Sequence, residues 1–198
     1  MDLETIKKYD EETEEYLKDW LPVTPAALKQ LVASWFRLGS SVLDIGSGSG
    51  RDVHWLVGQG YKAEGVDASR GLLAVASARY PSLKLRFDSL PDLVNTHDSS
   101  FDNVLCSAVL MHLSAEQTVS AVKNILRIMK PGGRVICSVR PSREGSERES
   151  DGRLYTEMGL QKLADSFAAC GGKILLQQTS SSEKIDRTWH TVVVEKRM

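Results

Sequence analysis

"SVLDIGSGSGRD", Ser41 to Asp52, sets an apolar run, one acid and three alternating glycines directly ahead of a helical pattern. The first five residues read as a buried strand, and Arg51 to Gly58 as the helix the chain turns into. Gly46, Gly48 and Gly50 let the backbone turn tightly and approach a ligand with no Cβ in the way. A dinucleotide-binding loop uses GxGxxG, with the pyrophosphate on the helix N-terminus and a third glycine that permits close helix–strand packing. Here Arg51 stands at that third position and the pattern is GxGxG, which weighs against NAD. Asp44, two residues before Gly46, adds negative charge that repels a pyrophosphate and suits an ammonium or a sulfonium.

On both sides of this stretch the pattern predicts regular elements. Two helical segments come first, Glu4 to Trp20 and Pro25 to Leu38, the second with Thr24 as N-cap and Pro25 at the first helical position. Beyond the glycines, "KAEGVD", "LKLRF", "FDNVLCSA" and "GGRVICSVR" read as strands, the last introduced by the Pro131-Gly132-Gly133 break. Helices from Ser69 to Tyr80 and from Ala115 to Lys130 lie between them, with Ser69 and Ser114 at their caps. Strand–helix alternation at this spacing implies right-handed crossovers and a parallel sheet covered on both faces. A polar, glycine-punctuated loop follows, "PSREGSERESDG", then a helix over Glu157 to Cys170. The closing β-rich runs, "KILLQQT" and "WHTVVVEK", are joined by about ten residues, too few for a helical crossover, so they form an antiparallel pair. The expected architecture is α/β and doubly wound. One domain spans 1–198, with a helical cap over 1–39, a Rossmann-like core over 40–198 and an acceptor-side loop at 140–156.

Composition excludes several function classes. Of 198 residues, 41% are hydrophobic and 26% charged, and 25 basic groups nearly cancel 26 acidic ones. No global field steers such a chain toward nucleic acid or an anionic membrane. Cys106, Cys137 and Cys170 form no metal-ligand spacing, and no histidine has a partner at such spacing, so no metal site is expected and the thiols read as free in a reducing cytoplasm. The charged N-terminus has no apolar signal region and no segment approaches a membrane span, which makes a cytoplasmic location the expectation.

Acids at the strand ends sharpen the ligand. Asp67 closes "KAEGVD", 21 residues after Gly46, where a carboxylate accepts hydrogen bonds from both hydroxyls of a ribose. Asp88 closes the next strand in "FDSLPDL", in reach of an adenine amino group. Glycine loop, ribose acid and a cation-favouring Asp44 together describe S-adenosylmethionine.

With these residues the sequence resembles the class I S-adenosylmethionine-dependent methyltransferases, through "VLDIGSGSG", "GVDAS", "FDSLP", "FDNVLCSAVLMHL" and "LRIMKPGGRVI" in the family's order. The resemblance implies a seven-stranded sheet with its last strand inserted antiparallel. By the same resemblance the backbone from Gly46 through Ser47 and Gly48 to Gly50 lines the methionine moiety. Asp67 with Ala68 holds the ribose, Asp88, Ser89 and Leu90 frame the adenine, and Cys106, Ser107 and Ala108 face the reacting centre.

Several residues admit two readings. Asp44 either touches the ligand or braces the loop. Arg51 either reaches the cofactor carboxylate or pairs with Asp52. Tyr9, Tyr16 and Trp20, seven and four residues apart, are either an apolar docking stripe or a lid with a tyrosine hydroxyl over the cofactor. His112, in "VLMHL" at the rim, is the candidate base for an acceptor hydroxyl or amine, against a packing role in the turn before Ser114. Arg140, Arg143, Arg148 and Arg153 alternate with glutamates as a solvated loop, or with Tyr155 grip an anionic or phenolic acceptor, with Arg187 and Trp189 as weaker members of that set. The strand end "CSAVL" lacks the base-gripping set of nucleic-acid enzymes, and three dispersed cysteines disfavour an arsenic acceptor. The expected activity is methyl transfer from S-adenosylmethionine to an oxygen or nitrogen of a small molecule, with S-adenosylhomocysteine as product. A methyltransferase acting on protein or nucleic acid, and a catalytically silent S-adenosylmethionine-binding protein, are the competing readings. Oligomeric state does not follow from these residues.

Overall fold

The computed structural model describes residues 1–20, 25–142, 144–182 and 187–198. Thr24 and Arg143 lie outside the described residues, as do the side chains of Trp20 and Arg187. Seven strands form one sheet: β1 (Ser41–Ile45), β2 (Lys62–Asp67), β3 (Lys84–Phe87), β4 (Phe101–Ser107), β5 (Met129–Val139), β6 (Gly172–Ser182) and β7 (Arg187–Lys196). Their order is β3-β2-β1-β4-β5-β7-β6. The first five run parallel, and β7 inserts antiparallel between β5 and β6. This is the α/β architecture expected, and its order reverses beside β1, where open α/β sheets bind ligands.

The helices are α1 (Leu3–Glu11), α2 (Thr13–Trp20), α3 (Ala26–Trp35), α4 (Arg51–Gly58), α5 (Arg70–Arg79), α6 (Ala115–Ile128) and α7 (Leu160–Ala169). Side chains alternate across the sheet and build two cores. Leu43, Ile45, Val104 and Val135 pack with α6 and α7, while Val42, Leu105, Ile136 and Val193 pack with α3 and α4. Ser69 caps α5 by accepting from Leu72 N, and Ser114 with Gln117 forms a reciprocal capping box on α6.

Three boundaries depart from the sequence pattern. The first helix is two, with the chain leaving helical geometry at Glu12 (φ −110°) and the Thr13 hydroxyl donating to the Tyr9 and Asp10 carbonyls. Pro25 is itself the N-cap of α3, which ends at Trp35 rather than Leu38. β5 begins at Met129, opposite Phe101, and runs through the Pro-Gly-Gly break. A Cβ on Gly133 would stand 2.6 Å from the Asp102 carbonyl oxygen, so glycine there lets the two strands pair.

Candidate cofactor and acceptor site

A cavity of about 700 Å³ opens at the carboxyl ends of the central strands, large enough for a nucleoside-sized ligand and a second small molecule. The loop between β1 and α4 forms one wall. Gly46 and Ser47 donate their N–H groups to the Val66 carbonyl at 2.8 and 3.0 Å, anchoring the turn on β2. Gly46 has φ +74°, and a Cβ there would lie 2.4 Å from a Val109 methyl, so both conformation and space require glycine. Gly50, also at φ 74°, is the N-cap of α4.

Asp67 joins this loop to the next. Its Oδ2 accepts from Gly48 N and its Oδ1 from Ser69 N, each at 2.8 Å. Burial pushes its carboxyl up, and the backbone donors oppose that shift. A carboxylate has about four acceptor positions, so with Gly48, Ser69 and Ala68 N–H turned toward it, capacity remains for a ligand hydroxyl. Asp44 is 3% exposed, and burial, reinforced by Asp52, pushes its carboxyl well above the usual range. A cation placed beside the loop would relieve that cost. The Ser47 hydroxyl is buried beside Gly65 with no hydrogen-bond partner among the described residues. Asp44 and Gly50 do not themselves line the cavity, and the buried acid behind the loop fits a cationic donor. Arg51 pairs with both oxygens of Asp52, at 2.8 and 2.6 Å, and both side chains line the cavity.

The N-terminal helix closes the opposite side. Asp10 accepts from the Ser69 hydroxyl at 2.6 Å and from Gly71 N at 2.9 Å, setting α1 over the positive end of α5. Asp2 pairs with Arg148, and Thr5 accepts from Leu154 N, so α1 also docks on the loop after β5. Tyr9 and Tyr16 line the cavity with ring centroids 4.8 Å apart.

His112 lies on the one-turn 3-10 helix Leu110–His112 after β4, 3% exposed and lining the cavity. Its Nδ1 is 2.6 Å from the Leu154 carbonyl, which only accepts, so Nδ1 carries the proton. The Nε2 lone pair then accepts from the Tyr9 hydroxyl at 3.2 Å. Burial is the main force lowering its pKa from 6.5 to about 4, against the Leu154 bond and with help from the Arg153 and Arg140 charges. The imidazole is therefore neutral at physiological pH.

Other sequence candidates fall elsewhere. Asp88, Ser89 and Leu90 do not line the cavity. The Asp88 carboxylate accepts from Thr96, Arg86 and two backbone amides, which commits it to its own turn. Cys106 faces the core rather than the reacting centre, in register with Cys137, and both thiols are fully buried. Ser107, Ala108 and Ala68 do line the cavity. The loop arginines are spent internally. Arg140 bonds the Tyr155 hydroxyl and pairs with Glu149, Arg153 pairs with Asp151 and stacks near three tyrosine rings, and Arg148 holds Asp2 and Glu4. None of these three lines the cavity, so among the described residues they neither grip an anionic acceptor, the alternative reading, nor form a wholly solvated loop, since Arg140 and Arg153 are buried. Sequence reasoning missed Ser138, Thr191, Gln178 and the first turn of α3 as walls, since their convergence depends on pairings no local pattern reveals.

Comparison with known proteins places this geometry. A family model described as the methyltransferase domain matches residues 43–137. An arsenite methyltransferase of Aquipseudomonas alcaligenes is 34% identical over 143 residues, 64% of this chain and 41% of that protein. A ubiquinone biosynthesis O-methyltransferase of Alkalilimnicola ehrlichii is 31% identical over 106 residues, 50% of this chain and 41% of that protein. The chain thus spans about two fifths of the length of these curated relatives. Among solved structures, Burkholderia thailandensis 1,6-didemethyltoxoflavin-N1-methyltransferase, bound to its acceptor and S-adenosylhomocysteine, superposes with a TM-score of 0.76 at 22% identity, covering 98% of this chain and 88% of that one. A chain from the complex between the Haloferax volcanii Trm112 methyltransferase activator and a putative methyltransferase gives 0.81 at 19% identity, covering 98% of each. These two likenesses are to the fold. Among the described residues no helix is long and apolar enough to cross a membrane, and no histidine, cysteine and carboxylate group could hold a metal ion.

Proposed function

We propose that this chain, whose core is a class I S-adenosylmethionine-dependent methyltransferase domain, methylates an oxygen or nitrogen of a small molecule. One observation carries the reading: Asp67, at the end of β2, clamps Gly48 N–H of the glycine loop at the cavity wall, so ribose acid and loop form one preorganised cradle. When bound, S-adenosylmethionine supplies an electrophilic methyl: the acceptor lone pair bonds to its carbon as the carbon–sulfur bond breaks, and that electron pair stays on sulfur. Gly46, Ser47, Gly48 and Gly50 would lie along the methionyl part, with Asp44 nearby for the positive charge and Asp67 with Ala68 on the ribose. Asp88, Ser89 and Leu90 would meet the adenine only if their turn rearranged. Tyr9 and Tyr16 exclude water on the α1 side, which strengthens every electrostatic contact inside.

His112 is the proposed proton acceptor on the acceptor side. Its Nε2 lone pair is engaged by the Tyr9 hydroxyl, so an acceptor hydroxyl or amine must displace Tyr9 to reach it, and burial, which holds the pKa at about 4, makes the ring a weak base until that exchange changes its surroundings. Oxygen or nitrogen, rather than arsenic, is supported by the absence of any thiol from the cavity wall among the described residues. The test is calorimetry with S-adenosylhomocysteine and with NADH. Binding of the first alone is expected; binding of NADH alone, or of neither, overturns the reading. Release of S-adenosylhomocysteine in the presence of hydroxylated and heteroaromatic acceptors then distinguishes an enzyme from a silent binding protein.

A further inference from the structure

The acceptor half of the cavity has a floor set by strand register. On the sheet face turned toward α3, Leu105, Ile136, Val193 and Leu176 stand opposite one another across β4, β5, β7 and β6. This row is apolar and belongs to the α3-side core. Two residues nearer the cavity, on the same face of the same four strands, the row is Ser107, Ser138, Thr191 and Gln178. Every member of that second row is polar and uncharged, and every one lines the cavity. The Ser107 and Ser138 hydroxyls meet at 2.9 Å. One step further along the two outer strands, Trp189 stands opposite Ser180, and both also line the cavity.

A register shift in β6 creates this floor. Ile174 pairs with Val194 and packs in the core under α6 and α7, whereas Leu176 pairs with Val193 on the α3 side. The irregularity between them reverses the alternation of β6, and it is this that turns Gln178 and Ser180 into the cavity. Bulges beside sites re-aim side chains in this way.

Charge is confined to the other half. Among the described lining residues, the ionisable side chains apart from tyrosine are Arg51, Asp52, Asp67 and His112, the first three belong to the first turn of α4 and the end of β2, and the Met1 ammonium donates to the Leu90 carbonyl. The Arg51 and Asp52 charges are paired with each other, and His112 is neutral. A charged acceptor entering over the polar row would lose its water and meet no counter-charge among the described residues. Hydroxyls that both donate and accept satisfy a phenol, a carbonyl or a ring nitrogen equally well, and an indole supplies a flat stacking face.

We propose, resting on the methyltransferase reading above, that the Ser107–Ser138–Thr191–Gln178 row with Trp189 is the acceptor-recognition surface, and that it takes an uncharged, planar ring compound edge-on to the hydroxyls. The test uses three probes with the same ring and hydroxyls but different charge: 3,4-dihydroxybenzamide, 3,4-dihydroxybenzoate and 3,4-dihydroxybenzylamine. Each is titrated calorimetrically into protein saturated with S-adenosylhomocysteine. The benzamide is expected to bind at least about tenfold more tightly than either charged congener. Thr191→Val and Ser138→Ala are each expected to weaken it about fivefold, the worth of one hydrogen bond, with S-adenosylhomocysteine affinity unchanged. Equal or tighter binding of a charged congener, no binding of any probe, or full affinity in both variants overturns the proposal while leaving the methyltransferase reading intact. Failure to bind S-adenosylhomocysteine at all overturns both.

Discussion

Lowering the pH tests the geometry around His112 most directly. In the folded chain its pKa is about 4 against an ordinary 6.5, because burial disfavours the charged ring. Below pH 6.5 the unfolded chain takes up a proton that the native state refuses until about pH 4, so stability attached to this residue is lost as pH falls through that window. At about 1.4 kcal/mol per pKa unit, the full shift is worth about 3 kcal/mol, of which roughly 2 kcal/mol is lost between about pH 7 and pH 4.5. Asp44 and Asp67, whose carboxyls burial pushes up, act in the opposite direction and gain stability as pH falls. The measurement is therefore a difference: urea unfolding of the native protein and of His112→Gln at both pH values. Glutamine keeps a donor for the Leu154 carbonyl and an acceptor for Tyr9, but does not titrate. The native protein is expected to lose about 2 kcal/mol more than the variant on acidification. An identical pH dependence in the two, or an imidazole resonance titrating near its ordinary value, refutes the buried, neutral, Nδ1-protonated ring.

Three further outcomes follow from the cavity. Gly46→Ala is expected to destabilise by about 1–3 kcal/mol in chemical denaturation, through a left-handed φ and a clash with Val109; Gly48→Ala, with open space around its Cβ position, is expected to cost less. Asp67→Ala is expected to weaken S-adenosylhomocysteine binding by about 1–3 kcal/mol in calorimetry, because it removes ribose acceptors and frees Gly48 N–H. Tyr9→Phe removes the donor to His112 and the acceptor for Arg153, and is expected to cost about 1 kcal/mol of stability, read from the urea midpoint.

The glycine loop, its strand and its helix were legible in the sequence because their conformations are local: glycines at positive φ, a serine cap and an apolar run each act within a few residues. The antiparallel closing pair was legible too, since a short connection forbids a helical crossover. The reading of Asp88 as the adenine acid rested on its strand-end position alone. Asp88 directly follows β3, but Arg86 two residues before it, and Asn95 and Thr96 from further along the chain, occupy its oxygens. The loop arginines admitted a solvated loop or an acceptor grip, and the structure instead pairs Arg140, Arg148 and Arg153 with Tyr155, Glu149, Asp151 and the N-terminal helix.

Sequence alone thus determined the α/β architecture and the glycine turn after β1, both written in short-range turn chemistry and periodicity. The acceptor floor was decided by the tertiary structure. Ser107, Ser138, Thr191 and Gln178 become neighbours only when four strands align, and an irregularity of β6 selects which of its faces they share. A one-residue shift in register turns every following side chain to the other face, and local preference is blind to it, because pairing partners distant in the chain set it.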